Sequence, residues 1–202
     1  WHYRSEDERL IAFSNRHQDL YRSRLITAPS VTEKSPFVYH QVEGDFKDIS
    51  GKCPIAEIEK TVSLAIDHLK NNPNESLGVI ALGSDHARSL YKEFQRQSEN
   101  LSLQLWPENK PEEKFIIRHL ENVQGDERDV IFLSTGYGPR KHDTVRLDFG
   151  PINSDKNLFG LRRLNVAITR SRKRLEVIST IDPYRYDDNK LNKIGLKAFI
   201  QY

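Results

Sequence analysis

Three observations predict an α/β fold with a mostly parallel sheet flanked by helices. Short apolar runs alternate with amphipathic stretches of helical period along the chain. The run Leu77-Gly78-Val79-Ile80-Ala81-Leu82 is continuously apolar, as strands covered on both faces are. No internal repeat or low-complexity linker divides the 202 residues, so strands and helices are read as one doubly wound domain.

The elements follow in order. Ser5-Glu6-Asp7-Glu8 reads as a capping box, with Ser5 as the cap and Glu8 reaching back. Leu10, Ile11, Phe13 and Leu20 then predict a helix of about four turns. Pro36 to Val42 alternates as a strand does, and a loop containing Gly and Asp follows it to Gly51. From Pro54, the residues Ile55, Ile58, Val62, Ala65, Ile66 and Leu69 recur at helical spacing until Asn71-Asn72-Pro73 stops them. Leu77 to Leu82 is a buried strand, and Ser84 starts a helix carrying Ala87, Leu90, Tyr91 and Phe94. Phe115-Ile116-Ile117 and Val130 to Leu133 are further strands that bracket the polar stretch Glu121 to Asp129. A long polar loop runs from Tyr137 to Asn157. Residues 161–174, LRRLNVAITRSRKR, read as a helix ending in a basic run. Leu175 to Ser179 is the last strand, and Leu191 to Phe199 a final helix.

Composition narrows the function classes. Hydrophobic residues make up 37% of the chain and charged residues 30%, enough for a core under a wide solvated surface. Net charge is +2, from 31 basic and 29 acidic residues, so any phosphate-binding role has to come from local clustering. The lone Cys53 excludes a disulfide framework and a cysteine-based zinc site, and the seven histidines show no metal-ligand spacing. No apolar run approaches the roughly 20 residues that span a bilayer, and no signal peptide opens the chain, so a cytoplasmic location is expected. There is no methionine, and the opening Trp1-His2-Tyr3-Arg4-Ser5 reads as the interior of a longer protein.

The arginines of residues 161–174 pose the chemical question. On a helix, Arg163 and Arg170 share a face at the margin of the apolar Leu164, Val166, Ala167 and Ile168. A guanidinium there is costly unless an anion meets it. The stretch Glu121 to Asp129 lies at the carboxyl end of a predicted strand, where ligands bind in open α/β sheets. Gly125 allows a close backbone approach, and its polar neighbours supply donors and acceptors. By itself this is also what any polar loop with one glycine looks like. Arg128 reads as a phosphate contact or as a partner of Asp126 or Asp129. One of Arg162 and Arg163 is expected to hold the Gly125 loop. Arg172, Lys173 and Arg174 read as a solvated cluster or a contact to nucleic acid.

Taken together, the stretches carry a family resemblance. Val-Gln-Gly-Asp-Glu-Arg-Asp-Val-Ile-Phe (123–132), then Arg-Arg-Leu-Asn-Val-Ala-Ile-Thr-Arg-Ser-Arg (162–172), closely resemble motifs V and VI of the second motor domain of superfamily 1 helicases. His2-Tyr3-Arg4-Ser5 resembles the Tyr-Arg motif that opens this domain in the 1B branch, and Leu77 to Ile80 resembles the strand between. The match is closest to the large bacterial helicase-like proteins of that branch and runs from Trp1 to about Thr180. It implies a RecA-like domain over residues 1–202, the C-terminal motor half of a DNA or RNA helicase, with ATP shared across a cleft with an upstream RecA-like domain. By that resemblance Arg170 and Arg4 are the arginine fingers that meet the γ-phosphate, an interaction worth roughly 10³–10⁵ in rate. Glu127 binds the nucleotide ribose, Gly125 and Gln124 form the loop around it, and Tyr3 lies against the adenine. Single-stranded DNA or RNA lies across Glu121, Asn122, Ser84 and His86, held chiefly by its backbone.

The phosphate loop G-x-x-x-x-G-K-[ST] and the paired acids that hold Mg²⁺ do not occur in this sequence. They are assigned to the upstream domain, so this chain alone is expected to be inactive and to hold no metal. The sequence departs from the family pattern at Ala81 and His86, where a Thr and a Gln are usual, and at Cys53-Pro54-Ile55-Ala56-Glu57, where Asn-x-x-Glu-Ala is usual. Those departures motivate the alternative of a degenerate domain that binds nucleic acid or partners without turnover. A third reading, a self-standing nucleotide-binding enzyme, requires ATP affinity in this chain alone. Asp148-Phe149-Gly150 spells a kinase triplet, but no kinase catalytic loop precedes it.

Overall fold

The computed structural model describes residues 5–27, 29, 34–43, 53–123, 125–137, 152, 158–185 and 199. Among these, five strands form one sheet: β1 (Phe37–Gln41), β2 (Leu77–Ala81), β3 (Ile116–His119), β4 (Arg128–Ser134) and β5 (Ser171–Ser179). Their order is β1-β5-β4-β2-β3, and every described pairing is parallel. The α/β expectation is therefore met. Strands β2 and β4 are buried at every position, which is why they read as unbroken apolar runs.

Alternation along the strands feeds two cores. Leu77, Val79, Ala81, Val130 and Phe132 pack with α2 (Ile55–Asn71) and α3 (Ser84–Ser98) through Val62, Ile66, Leu69, Leu90 and Phe94. Ile80, Ile131, Leu133, Leu175 and Val177 meet α1 (Arg9–Arg16) and α4 (Phe159–Ile168) through Leu10, Leu161, Leu164 and Ile168. Each buried Leu or Ile contributes about 1.5–3 kcal/mol, so the two clusters supply the main cohesion of the domain.

Two boundaries differ from expectation. No capping box forms at Ser5 and Glu8. Instead the Asp7 carboxylate accepts the Arg9 backbone N–H at 2.9 Å and its guanidinium at 2.6 Å, while Glu8 accepts from the Thr27 hydroxyl. An ionised carboxylate two residues ahead is the stronger acceptor. The first helix ends at Arg16, short of Leu20, because His17 is extended and turns follow it. The second difference bears on the site. Helix α4 stops at Ile168 and the basic run enters β5, so Arg170 lies in the turn between them and shares no helix face with Arg163. Nearly all of the expected loop from Tyr137 to Asn157, and the expected final helix except Phe199, lie outside the described residues.

Candidate functional site

Strands β4 and β5 lie side by side and start at the same end of the sheet, which brings together residues 43 positions apart in sequence. The Arg128 N–H donates to the Arg170 carbonyl at 3.1 Å, fixing the turn before β5 against the start of β4. The Arg170 guanidinium lies 3.7 Å from the Glu127 carboxylate, with side chains 11% and 23% exposed. Arg170 also donates from Nε to the Val166 carbonyl at 3.1 Å, so its stem folds back over the end of α4. Gly125 is exposed at φ +88°, and the Glu127 N–H donates to its carbonyl at 3.1 Å. A side chain at residue 125 would meet nothing within 4 Å, so the backbone conformation is what favours glycine there. Among the described residues the result is a half-open corner where the Arg170 guanidinium, the Glu127 carboxylate and the exposed Gly125 backbone come together. Tyr3, Arg4 and Gln124 lie outside the described residues.

Behind this corner the basic run has a different role from the one expected. Arg172 donates from Nε and Nη2 to Asp129 Oδ1 at 3.1 and 2.9 Å, and from Nη2 to Glu113. Lys110 reaches both Asp129 oxygens at 2.9 Å, and the Ser76 N–H donates to Oδ2 at 3.2 Å. Burial pushes the Asp129 carboxyl up, but the bonds from Lys110, Arg172 and the Ser76 backbone outweigh it and hold it down to about 2. Arg174 donates to Glu176 at 2.7 Å, and Lys173 lies 3.6 Å from Glu75. Arg172 is thus an internal brace, while Lys173 and Arg174 stay about a third exposed and pair with Glu75 and Glu176. Arg128 is also structural: it is buried and donates to the carbonyls of Lys114 and Glu127.

At the opposite, carboxyl end of the sheet, the register Ala81↔His119 brings the segments after β2 and β3 side by side. Ser84 is exposed at the start of α3, and Glu121 and Asn122 are exposed in the 3₁₀ turn Leu120–Asn122. Glu121 is held by Arg163 at 2.8 Å, so Arg163 is the arginine that ties α4 to this loop, while Arg162 is exposed. His86 requires a correction. It is 2% exposed, and its Nε2 lies 2.7 Å from the Ser134 hydroxyl, so it offers nothing to a strand on this surface.

Glu57, which the sequence marked only as the last residue of the Cys53–Glu57 departure and not as a functional residue, lies 3.5 Å from His86 Nε2. Its carboxylate is fully buried and accepts from the Ser134 hydroxyl at 2.8 Å, the Thr135 hydroxyl at 3.1 Å and the Gly136 N–H at 2.6 Å. Gly136 sits at φ +66°, where an added Cβ would come within 2.4 Å of the His86 ring. The available signal was a glutamate on the apolar side of α2, in phase with Thr61 four residues on. Among the described residues no group of His, Cys, Asp and Glu could hold a metal ion, and no helix is long and apolar enough to cross a membrane.

The described strands make an all-parallel α/β sheet of the open, helix-flanked class, with an arginine and a glutamate meeting at adjoining strand starts. A family described as "AAA domain" matches residues 2–182, and this chain belongs to that family. Two relatives are described as uncharacterized ATP-dependent helicases, MG140 of Mycoplasma genitalium and its homolog in Mycoplasma pneumoniae. Each is 30% identical over 208 residues, covering 100% of this chain and 18% of the relative, so the chain spans less than a fifth of their length. A solved C-terminal domain of a possible DNA helicase from Lactobacillus plantarum has 12% identity and a TM-score of 0.47, covering 91% of this chain and 92% of that one. The family match accords with the helicase-like motor domain that the motifs resemble.

Proposed function

We propose that this chain is the second motor domain of an ATP-dependent helicase or translocase, completing an ATP site shared with an upstream RecA-like domain. The observation that carries this reading is the meeting of Arg170 and Glu127 at the starts of β5 and β4, within 3.7 Å of each other. The two come from the two motif-bearing stretches. A planar, permanently charged guanidinium suits the equatorial oxygens of a phosphoryl group, and a carboxylate suits the ribose hydroxyls. At 3.7 Å the two form a loose ion pair, which both partners leave to meet the nucleotide.

In this role Arg170 leaves the Val166 carbonyl and donates to the γ-phosphate, while Glu127 accepts from the ribose and Gly125 presents its backbone beside it. ATP supplies the phosphoryl group whose transfer drives the motor. The phosphate loop and the paired acids that hold Mg²⁺ do not occur in this sequence, so Mg²⁺ is assigned to the upstream domain and the isolated chain is expected to be inactive. Arg4 is kept as the second finger. Support comes from the Glu6 N–H, which donates to the Arg172 carbonyl at 2.7 Å and so brings the Ser5–Glu6 segment beside β5. Tyr3 and Gln124 keep their nucleotide roles, and the cytoplasm remains the expected location. Single-stranded DNA or RNA crosses the opposite surface at Ser84, Asn122 and the backbone of Glu121.

The test is ATP turnover by the full-length polypeptide, with and without single strands, for wild type and Arg170→Ala. Strand-stimulated turnover that falls by roughly 10³-fold or more in the variant supports the finger. Equal turnover in both removes Arg170 from the mechanism, and no turnover in either favours the degenerate clamp.

A further inference from the structure

The register between β4 and β5 slips beside the site: Arg128 pairs with Ser171, but Val130 pairs with Arg174. Two steps along β4 thus face three along β5, which places a bulge at Arg172–Lys173, two residues beyond Arg170. A bulge interrupts the ladder and frees the strand to bend, so something else has to fix how the turn before it is aimed. Here that is a side-chain brace. The Arg172 fork spans Asp129 and Glu113, and the fully buried Asp129 is also held by Lys110 and by the Ser76 N–H. The Ser76 hydroxyl completes the exchange by accepting the Asp129 N–H at 2.9 Å. The Arg172 carbonyl holds the Glu6 N–H, and the Arg170 carbonyl holds the Arg128 N–H.

We infer that Asp129 and Arg172 are positioning residues, a bidentate brace that pins the β5 bulge and sets where the Arg170 guanidinium points. The inference rests on the reading of Arg170 as the finger. Neither residue touches nucleotide. The Asp129 carboxylate is taken up by Lys110, Arg172 and the Ser76 N–H, and Arg172 donates to two carboxylates and the Ser76 hydroxyl. Their contribution is directional, because a displacement of about 1 Å at a reacting group costs on the order of 10²-fold in rate. Two cations and two carboxylates balance within the brace, so it adds no net charge to compete with Arg170 for phosphate.

The experiment uses the full-length polypeptide and compares Asp129→Asn, Arg172→Lys, Arg170→Ala and the Asp129→Asn/Arg170→Ala double variant. Leu90→Ala, a cavity in the layer behind the sheet, controls for destabilisation alone and is expected to lower Tm while keeping kcat. Both brace variants are expected to lose kcat by roughly 10- to 100-fold with KM for ATP nearly unchanged. Asp129→Asn is expected to add no further loss in the Arg170→Ala background, because it acts through that side chain. Full turnover in both brace variants, or losses that multiply in the double variant, overturns the inference while leaving the finger in place. Failure of both variants to fold makes the pair a stability element and overturns its positioning role. If Arg170→Ala itself is harmless, both the finger and the brace's purpose fall together.

Discussion

Asp129 ties the stability of the fold to pH. Its folded-state carboxyl is held down to about 2, below the ordinary value of 3.8 that it takes when unfolded. A depressed carboxylate stabilises the fold above the unfolded value and loses that contribution as pH falls toward the folded one. Stability is therefore expected to drop by about 2 kcal/mol between pH 5 and pH 2 on this account alone. Chemical denaturation across that range, with Asp129→Asn as reference, checks it, since the variant should show a shallower slope. Gly136 is the second residue of consequence. At φ +66° and pressed against the His86 ring, Gly136→Ala has to meet both backbone strain and a clash. A loss of about 2 kcal/mol or more is expected in a denaturant melt, and a neutral result would mean that the His86 ring moves aside.

The elements show how a buried carboxylate can organise the ends of several strands. Glu57, from the first turn of α2, collects donors from Ser134 at the end of β4 and from Thr135 and Gly136 just beyond it. His86 Nδ1 is buried without a hydrogen-bond partner among the described residues, and the ring turns Nε2 toward Ser134 and Glu57. Glu57→Gln turns an amide donor toward hydroxyl and N–H donors. It is expected to cost about 2–4 kcal/mol, with the 134–137 segment losing amide-exchange protection first. Uniform loss of protection across the sheet would instead mean that Glu57 supports the whole core. At this scale the sequence was legible where periodicity was strong. Helix α2 matches its expected apolar spacing, and β2 matches its unbroken run. It misled where charge carried no period. The basic run 171–174 looked like a helix tail, yet it forms a strand whose cations are met by Glu113, Asp129, Glu75 and Glu176 from elsewhere in the chain.

For the whole molecule, one sheet carries the two groups of proposed site residues at opposite ends: Arg170 with Glu127 at the strand starts, and Ser84 with Asn122 beyond the other ends. If single strands cross the second end, Ser84→Glu in the full-length polypeptide is expected to weaken their binding about tenfold at low salt, with the difference shrinking as salt rises. Unchanged affinity would move the track elsewhere. The sequence by itself determined the α/β class, the order of the elements and the pairing of two motifs, because apolar period and motif chemistry are local properties of a chain. Only the tertiary structure decided that Arg170 faces Glu127, that His86 lies inside, and that Glu57 and Asp129 are the carboxylates the fold is built around. Those outcomes depend on which strands neighbour each other and in what register. A buried charge becomes legible only when its partners, 50 or 80 residues away, are brought within about 3 Å.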